Sequence, residues 1–237
     1  MHRAAAVLFD LWGTLVPPIP PSVRDAVSRD MAVDLGVDPE AFAAAYHDSY
    51  RERFMGETGS LEETVRLLSE RCCGAPSGAA VTGAATRRLD LTRRLLASDS
   101  ATLATLDELR ARDFRLGLVT DSSVETPMLW PSSPLARRVD AAAFSCAVGA
   151  RKPDPRLFLR VVDELECAAV DCVYVGDGGG HELTAAAALG MLPIRVRPPG
   201  AAPSDRYDDD SAFAGVEVAA LSELLSLPWA KSAGSAP

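Results

Sequence analysis

Five polar residues of this 237-residue sequence follow short apolar runs and have types that could do chemistry together: Asp10, Thr120, Asp121, Lys152 and Asp177. A carboxylate can attack phosphorus and form an aspartyl phosphate, which divides one difficult hydrolysis into two easier steps. Carboxylate oxygens also bind Mg²⁺, and a lysine offsets negative charge on a group that is being transferred. Each residue alone is more often a turn former, a helix cap or a solvated charge. Together, three carboxylates, a hydroxyl and a lysine indicate a site for a divalent cation and a phosphate.

Alternating strand and helix patterns predict the elements that position these residues. Short apolar runs, typical of strands buried on both faces, occupy 4–10, 114–119, 141–146, 172–176 and 193–197. Helical patterns lie near 101–112, 155–166 and 181–189. The alternation predicts an α/β fold with a Rossmann-like parallel sheet and right-handed crossovers. Because ligands of such sheets bind beyond the carboxyl ends of the strands, the five polar residues are expected to meet at one edge.

The segment between the first two strands has helical patterns and no strand signal. The proline-rich PPIPP at 17–21 predicts a stiff linker, because proline disfavours helix interiors. Four aromatic residues then recur at intervals of four, as in an amphipathic helix of a bundle. These residues are Phe42, Tyr46, Tyr50 and Phe54. Ser60 and Glu63 have the spacing of a capping box, and the glycine-rich residues 74–80 are expected to form a loop.

The predicted organisation is a core domain with an inserted helical domain. Residues 1–16 and 98–230 form the core, and residues 17–97 form the insertion. Residues 231–237 and the acidic loop around 208–210 have compositions that predict disorder.

Composition narrows the classes of partner. The net charge is −9, the pI is about 4.9 and no Lys/Arg cluster is longer than a pair, which argues against nucleic acid. No apolar stretch approaches the ~18 residues of a membrane-spanning helix, and the amino-terminal apolar run is too short for a signal peptide. The five cysteines show neither metal-ligand spacing nor a disulfide pattern. A small-molecule substrate and a cytoplasmic location are therefore expected, and both a monomer and a homodimer are left open.

Four motifs in order resemble those of the haloacid dehalogenase-like hydrolase superfamily: FDLWGTL, LVTDSS, RKPDP and VYVGDGGGHE. The resemblance covers nearly the whole chain, and the helical insertion after the first motif resembles the C1-type cap of this superfamily. The resemblance implies that Asp10 is the nucleophile and that the Thr120 hydroxyl holds the transferring group. It also implies that Lys152 stabilises the nucleophile and the phosphate. Asp121 and the side chain of Trp12 are expected to contact the substrate with them.

The resemblance also implies a Mg²⁺ site. Asp10 and Asp177, the first acid of the fourth motif, would provide carboxylate ligands. The backbone carbonyl of Trp12 would provide a further ligand, which does not depend on the side chain. Glu182 stands five residues after Asp177, in the place of the second acid of that motif.

Trp12 departs from the phosphatase pattern, in which a second aspartate at this position protonates the leaving oxygen and activates water. Indole has no proton to give at neutral pH and cannot act as a general base. His47, His181 and Asp121 are the candidates for this function, unless the leaving group needs no proton. The dehalogenase branch has an aromatic residue at the same position and uses no metal. The first motif alone therefore favours a metal-independent 2-haloacid dehalogenase.

The fourth motif favours a phosphatase instead. Dehalogenases resemble each other in having a neutral residue where this chain has Asp177. The expected function is a Mg²⁺-dependent phosphoric monoester hydrolase that acts on a small phosphorylated metabolite through an aspartyl phosphate. The alternatives are the 2-haloacid dehalogenase and a catalytically weak binding protein of the same fold. A phosphonoacetaldehyde hydrolase would need a cap lysine, and residues 18–96 contain none.

The inserted segment offers candidate contacts for an anionic substrate. They are Arg24, Arg51, Arg53 and Arg66. Each is expected to lie on a solvated helix face, because long charged side chains usually keep their charged ends in water. Sugar phosphates, nucleotides and phosphorylated biosynthetic intermediates are all compatible with the sequence.

Overall fold

A parallel β-sheet forms the centre of the molecule. The structure is a computed structural model in which residues 4–198, 200, 210–211 and 213–231 are described. The strands are β1 (Ala6–Phe9), β2 (Arg115–Thr120), β3 (Ala141–Phe144), β4 (Cys172–Gly176), β5 (Leu192–Val196) and β6 (Val216–Val218). Their order is β3-β2-β1-β4-β5-β6, and every neighbouring pair is parallel. The predicted α/β fold with a Rossmann-like parallel sheet is confirmed.

The central strands β1 and β4 are buried on both faces, which explains why they are continuous apolar runs. In β1, Val7 and Phe9 belong to one hydrophobic cluster and Ala6 and Leu8 to another, because successive side chains of a strand point to opposite faces. All four side chains have 0 % exposure. Burial on both sides therefore fixes the strand that leads into Asp10.

Between β1 and β2 the chain forms a helical segment. Its helices are α1 (Pro21–Leu35), α2 (Pro39–Asp48), α3 (Tyr50–Phe54), α4 (Leu61–Arg71) and α5 (Gly78–Leu95). They enclose a hydrophobic cluster of their own, which includes Met31, Phe42 and Leu68. The predicted capping box is present, because Glu63 N donates to Ser60 Oγ and Ser60 N donates to Glu63 Oε2 at 2.7 Å. The assignment of residues 17–97 as a separate domain stays a prediction.

The remaining helices follow the helical segment in the chain, and helices from this group pack on both faces of the sheet. They are α6 (Ser100–Ala111), α7 (Glu125–Leu129), α8 (Ser145–Val148), α9 (Pro155–Glu164) and α10 (Glu182–Ala188), with 3₁₀ helices at Leu221–Ser226 and Pro228–Ala230. Leu106 and Leu109 of α6 pack on one face, and Phe158 and Val161 of α9 pack on the other. Within the described part of the chain, no helix has the length and apolar character needed to cross a bilayer.

Several predicted boundaries in the core differ from the structure. Thr120 is the last residue of β2 and does not lie beyond it. Residues 145–146 begin α8 and do not extend β3, because the Ser145 hydroxyl bonds to the backbone of Ser122 and ends the ladder there. The sequence patterns do not predict β6, whose three residues are too few to show an alternation.

The helical segment also differs from its prediction in three places. Pro21 begins α1 and is not part of a linker, since proline is tolerated in the first helical turn. The aromatic stripe is divided between α2 and α3, because the helix is interrupted at Ser49. Residues 78–80 belong to α5, whose cap Ser77 accepts a hydrogen bond from Ala80 N at 3.2 Å.

The predicted disordered segments lie mostly outside the described residues, namely 208–209 and 232–237. Asp210, at the end of the acidic loop, is described and is buried. Its carboxylate accepts hydrogen bonds from Leu183 N at 2.7 Å and Thr184 N at 3.3 Å, so it caps α10. The prediction of disorder is wrong for Asp210, because the backbone amides at the start of this helix need an acceptor.

Candidate active site

The carboxyl ends of β1, β2 and β4 bring Asp10, Thr120 and Asp177 to one edge of the sheet. β1 lies between β2 and β4, so the three strand ends are adjacent. Asp10 N donates to Val175 O at 2.9 Å, which continues the ladder for one residue and fixes the aspartate at the strand end. The three residues therefore meet where the sequence predicts a ligand site.

Lys152 is buried beside Asp10 and joins it to Glu182. Its ammonium donates to Asp10 Oδ1 and to Glu182 Oε2, the latter at 2.5 Å. Asp10 and Lys152 are each 5 % exposed, and Glu182 is 0 % exposed. The backbone of Lys152 is also held, because its N–H donates to Asp121 Oδ1 at 3.0 Å. The lysine thus connects the loop before α9 with the ends of β1 and β2 and the start of α10.

Glu182 accepts hydrogen bonds from three groups of the protein. Lys152 Nζ and the Tyr174 hydroxyl, the latter at 2.8 Å, donate to Oε2. Gly178 N donates to Oε1 at 2.9 Å. The carboxylate fits because residue 176 is a glycine, since a Cβ on Gly176 would lie 2.0 Å from Oε1. The end of β4 and the first turn of α10 therefore share one buried carboxylate.

Asp10, Asp177 and Glu182 could hold a metal ion together. Each offers a carboxylate oxygen, and these oxygens lie within 4.8 Å of one another. Gly13 makes room for Asp177, because its φ is +90° and a Cβ there would lie 2.3 Å from Asp177 Oδ2. Because Mg²⁺ prefers hard oxygen ligands, the donor set fits the cation that the sequence motifs imply.

The buried group combines three carboxyl groups with one ammonium. Burial raises the pKa of Asp10 well above its ordinary value; Lys152 opposes this rise, and Glu182 and Asp177 add to it. Burial, and then Glu182, raises the pKa of Asp177 to about 6. Burial would lower the pKa of Lys152, but Asp10 and Glu182 raise it well above its ordinary value. Because one ammonium does not offset three carboxylates, a bound cation would relieve their repulsion.

Thr120 and Asp121 are buried at the end of β2, and Trp12 lies in the turn after β1. Asp121 Oδ2 lies 3.4 Å from Arg151 Nε. Burial raises the pKa of Asp121, although Lys152 and Arg151 act in the opposite direction. The Trp12 side chain is partly buried and packs against the hydrophobic cluster that contains Phe9. The roles of these residues in substrate binding stay predictions.

The three candidate proton donors have different surroundings. His47 is exposed on α2. His181 precedes α10 with its side chain 47 % exposed, and its Nδ1 lies 3.7 Å from Asp210 Oδ1. Asp121 is 8 % exposed and contacts the backbone of Lys152. Of the three, Asp121 is therefore the one that contacts the buried charged group.

A second polar cluster joins the helical segment to the loop after β2. Arg88 Nε donates to Glu125 Oε1 at 2.6 Å, and the Tyr46 hydroxyl donates to the same oxygen at 3.2 Å. Arg53 Nη1 donates to Ser123 Oγ at 3.4 Å, and its guanidinium lies 4.1 Å from the centre of the Tyr46 ring. We call these five residues the interface cluster. Because Ser123 and Glu125 follow Thr120 closely, the cluster links the helical segment to the chain that follows β2.

Sequence patterns do not predict the interface cluster. The expectation of solvated arginines is correct for Arg51 and Arg66, which are exposed, and wrong for Arg24 and Arg53, which are 5 % and 1 % exposed. The partners of Glu125 lie 37 and 79 positions away in the chain. No local spacing signals such a contact, since it depends on how the helical segment packs on the core.

Comparison with known proteins identifies one family model and several relatives. Residues 4–190 match the family model described as haloacid dehalogenase-like hydrolase. A glyceraldehyde 3-phosphate phosphatase of Methanopyrus kandleri is 27% identical over 198 residues, which are 81% of this chain and 83% of that protein. Bifunctional epoxide hydrolase 2 of Rattus norvegicus is 26% identical over 82% of this chain but only 36% of its own length.

Solved structures share the fold. An HAD phosphatase from Thermococcus onnurineus has a TM-score of 0.61 and 21% sequence identity, covering 93% of this chain and 96% of that chain. The L-2-haloacid dehalogenase from Xanthobacter autotrophicus has a TM-score of 0.62 and 18% identity, covering 94% and 98% of the two chains. Both a phosphatase and a dehalogenase thus have this architecture, so the fold does not choose between the two activities.

The interface cluster should contribute measurably to stability. Glu125→Gln should lower the free energy of unfolding at pH 7 by about 3 kcal/mol, because it leaves the buried guanidinium of Arg88 without its counter-charge. Urea unfolding of both proteins measures the difference. As a control, Asp107→Asn breaks the exposed ion pair with Arg138 and should cost at most about 1 kcal/mol. An equal loss in the two variants would contradict the assignment.

The same variant should change the pH dependence of stability. Burial would raise the pKa of Glu125, but Arg88 and Arg53 lower it to about 2, against an ordinary value of 4.5. Ionised Glu125 therefore stabilises the fold above about pH 4.5, and this contribution is lost as the pH falls towards 2. The free energies of unfolding of the wild type and Glu125→Gln should therefore differ by about 1 kcal/mol less at pH 3.5 than at pH 7. A difference that does not change with pH would contradict the lowered pKa.

Proposed function

The chain belongs to the haloacid dehalogenase-like hydrolases, and from this premise we propose that it is a Mg²⁺-dependent phosphatase of a small phosphorylated metabolite. The observation that carries the proposal is the buried pairing of Asp10 with Lys152 beside two further carboxylates, Asp177 and Glu182. The similarity to a phosphatase of Methanopyrus kandleri supports the same reaction type.

In the proposed reaction Asp10 is the nucleophile. Its carboxylate attacks the phosphorus of the ester, the bond from phosphorus to the leaving oxygen breaks, and an aspartyl phosphate forms. Water then attacks the phosphorus of this intermediate, which releases phosphate and restores the carboxylate. The Lys152 ammonium reduces the repulsion between Asp10 and the incoming phosphate oxygens, and the Thr120 hydroxyl donates a hydrogen bond to one of them.

The proposed cation site uses the carboxylates of Asp10 and Asp177 and the carbonyl of Trp12. When bound, Mg²⁺ would offset the negative charge of the phosphate and of the carboxylates around it. Glu182 is the fourth candidate ligand, and in the structure it accepts hydrogen bonds from Lys152, Tyr174 and Gly178.

Residues 17–97 are proposed to be a C1-type cap that covers the site and selects the substrate. The contacts of Arg53 with Ser123 and of Arg88 with Glu125 support this, because they join the segment to the loop that follows Thr120. A cap held at this loop would exclude water from the phosphate and strengthen every electrostatic contact there.

A metal-independent 2-haloacid dehalogenase is the second candidate, and Trp12 is the observation that favours it. A halide leaves without a proton, so an indole in place of an acid would not impair that reaction. Asp177 and Glu182 argue against it, because a reaction without a metal gains nothing from their charges so close to Asp10. A binding protein of the same fold is the third candidate and would turn over neither class of substrate.

The first test is a phosphate-release screen over esters of small metabolites in the presence of Mg²⁺. At least one ester should be hydrolysed, and Asp10→Asn should reduce kcat by ~10⁴-fold or more while the melting temperature stays close to that of the wild type. Retention of more than about a hundredth of the activity would refute Asp10 as the nucleophile. Binding of metabolites without any turnover would favour the binding protein.

The second test concerns the cation. EDTA should abolish phosphate release, Mg²⁺ should restore it, and Asp177→Asn should imitate the chelator because it removes a charged ligand. Thermal shift on addition of Mg²⁺ provides a readout without substrate, and it should be present in the wild type and reduced in Asp177→Asn. Halide release from a 2-haloacid in EDTA would instead establish the dehalogenase.

The third test concerns Trp12. If no group protonates the leaving oxygen, kcat/KM should depend steeply on the leaving-group pKa, and p-nitrophenyl phosphate should react much faster than an alkyl phosphate. Trp12→Asp should flatten this dependence and raise alkyl ester hydrolysis by at least tenfold, out of the ~10²- to 10⁴-fold that a general acid contributes. A shallow slope in the wild type would show that another residue already donates the proton.

A further inference from the structure

Tyr174 is a polar residue in the middle of a buried strand. It lies on β4, is 0 % exposed, and its ring centre is 5.1 Å from that of Phe158 on α9. A phenylalanine ring would fill the same space. The position of the ring is therefore explained by packing, and the hydroxyl requires a separate explanation.

The hydroxyl donates to Glu182 Oε2 at 2.8 Å. A phenol has an ordinary pKa of about 10, so the hydroxyl carries its proton at neutral pH and acts as the donor. The same carboxylate oxygen accepts from Lys152 Nζ at 2.5 Å. Tyr174 and Lys152 thus share one acceptor atom.

The Glu182 carboxylate is held at both oxygens without the lysine. Tyr174 on β4 holds Oε2, and Gly178 N, in the loop after β4, holds Oε1 at 2.9 Å. Hydrogen bonds to a charged group are among the stronger ones in proteins, and two from rigid donors fix its orientation. Glu182 is therefore a preset acceptor for the ammonium of Lys152, which also donates to Asp10.

We propose that Tyr174 is a positioning residue: its hydroxyl fixes Glu182, and Glu182 in turn holds the Lys152 ammonium beside Asp10. The importance of this arrangement for turnover rests on the proposed function, whereas the positioning of Lys152 does not. Without the hydroxyl, Gly178 N still holds Oε1, but Oε2 has the ammonium as its remaining donor and can rotate about the Oε1 contact. The ammonium would then be drawn away from the nucleophile.

The lysine content of the chain makes this ammonium observable. There are two lysines, Lys152 and the exposed Lys231. In protein labelled with ¹⁵N at the lysine side chains, Lys231→Arg leaves the signal of Lys152 alone and so assigns it. Tyr174→Phe should shift or broaden that signal. Tyr46→Phe is the matched control, because it removes an equally buried hydroxyl from Glu125 and should leave the Lys152 signal unchanged.

Kinetics test the consequence for the reaction. Tyr174→Phe should lower kcat by about tenfold with KM changed by less than about twofold, at the lower end of the ~10- to 100-fold that groups supporting a site residue typically contribute. A hydroxyl of Tyr174 with a purely structural role would lower the melting temperature of Tyr174→Phe and leave both its Lys152 signal and its kcat unaltered.

The outcomes separate this proposal from the proposed function. A Lys152 signal in Tyr174→Phe identical to that of the wild type overturns the proposal, as does an unaltered kcat for an ester that the wild type hydrolyses. If the wild type hydrolyses no ester, the proposed function fails, and the signal of Lys152 alone then decides whether Tyr174 positions it.

Discussion

A charged lysine buried among carboxylates needs every partner in place. Lys152 is 5 % exposed, so its ammonium is compensated by Asp10 and Glu182 rather than by water. Loss of one partner from such a buried group costs several kcal/mol, because the remaining charge is left without compensation. These contacts therefore fix the carboxyl end of β1, the loop before α9 and the start of α10 relative to one another. The contacts that surround the proposed nucleophile therefore also specify how these elements pack.

The close approach of two carboxylates to the backbone is the second constraint at the site around Asp10, and a glycine makes room for each of them. Gly13 lets the chain turn beside Asp177, and Gly176 lets the Glu182 carboxylate lie against β4. A side chain at either position would push a carboxylate out of the group around Asp10. The glycines of the first and fourth motifs thus act through space on charges that lie elsewhere in the sequence.

Local signals predict the fold and the centre of the site. Apolar runs that end on Asp10 and Asp177 are sufficient to predict a parallel sheet with polar strand ends, because the geometry of such sheets brings those ends together. The interface cluster is not predictable in this way, since Arg88 and Glu125 are 37 positions apart. Tyr174 is close to Glu182 in sequence, but their contact depends on the path of the intervening loop, which no periodicity describes.

The residue type at position 12 affects the balance of charge at the site. Three carboxylates already face one ammonium there, and an aspartate at position 12 would bring a fourth. An indole keeps the backbone carbonyl for a cation but adds no charge and no transferable proton. In the proposed function, two roles that the phosphatase pattern combines would be separated: Asp177 and Glu182 would help to hold a cation, and position 12 would take no part in proton transfer. This separation explains why the first motif resembles a dehalogenase while the fourth resembles a phosphatase.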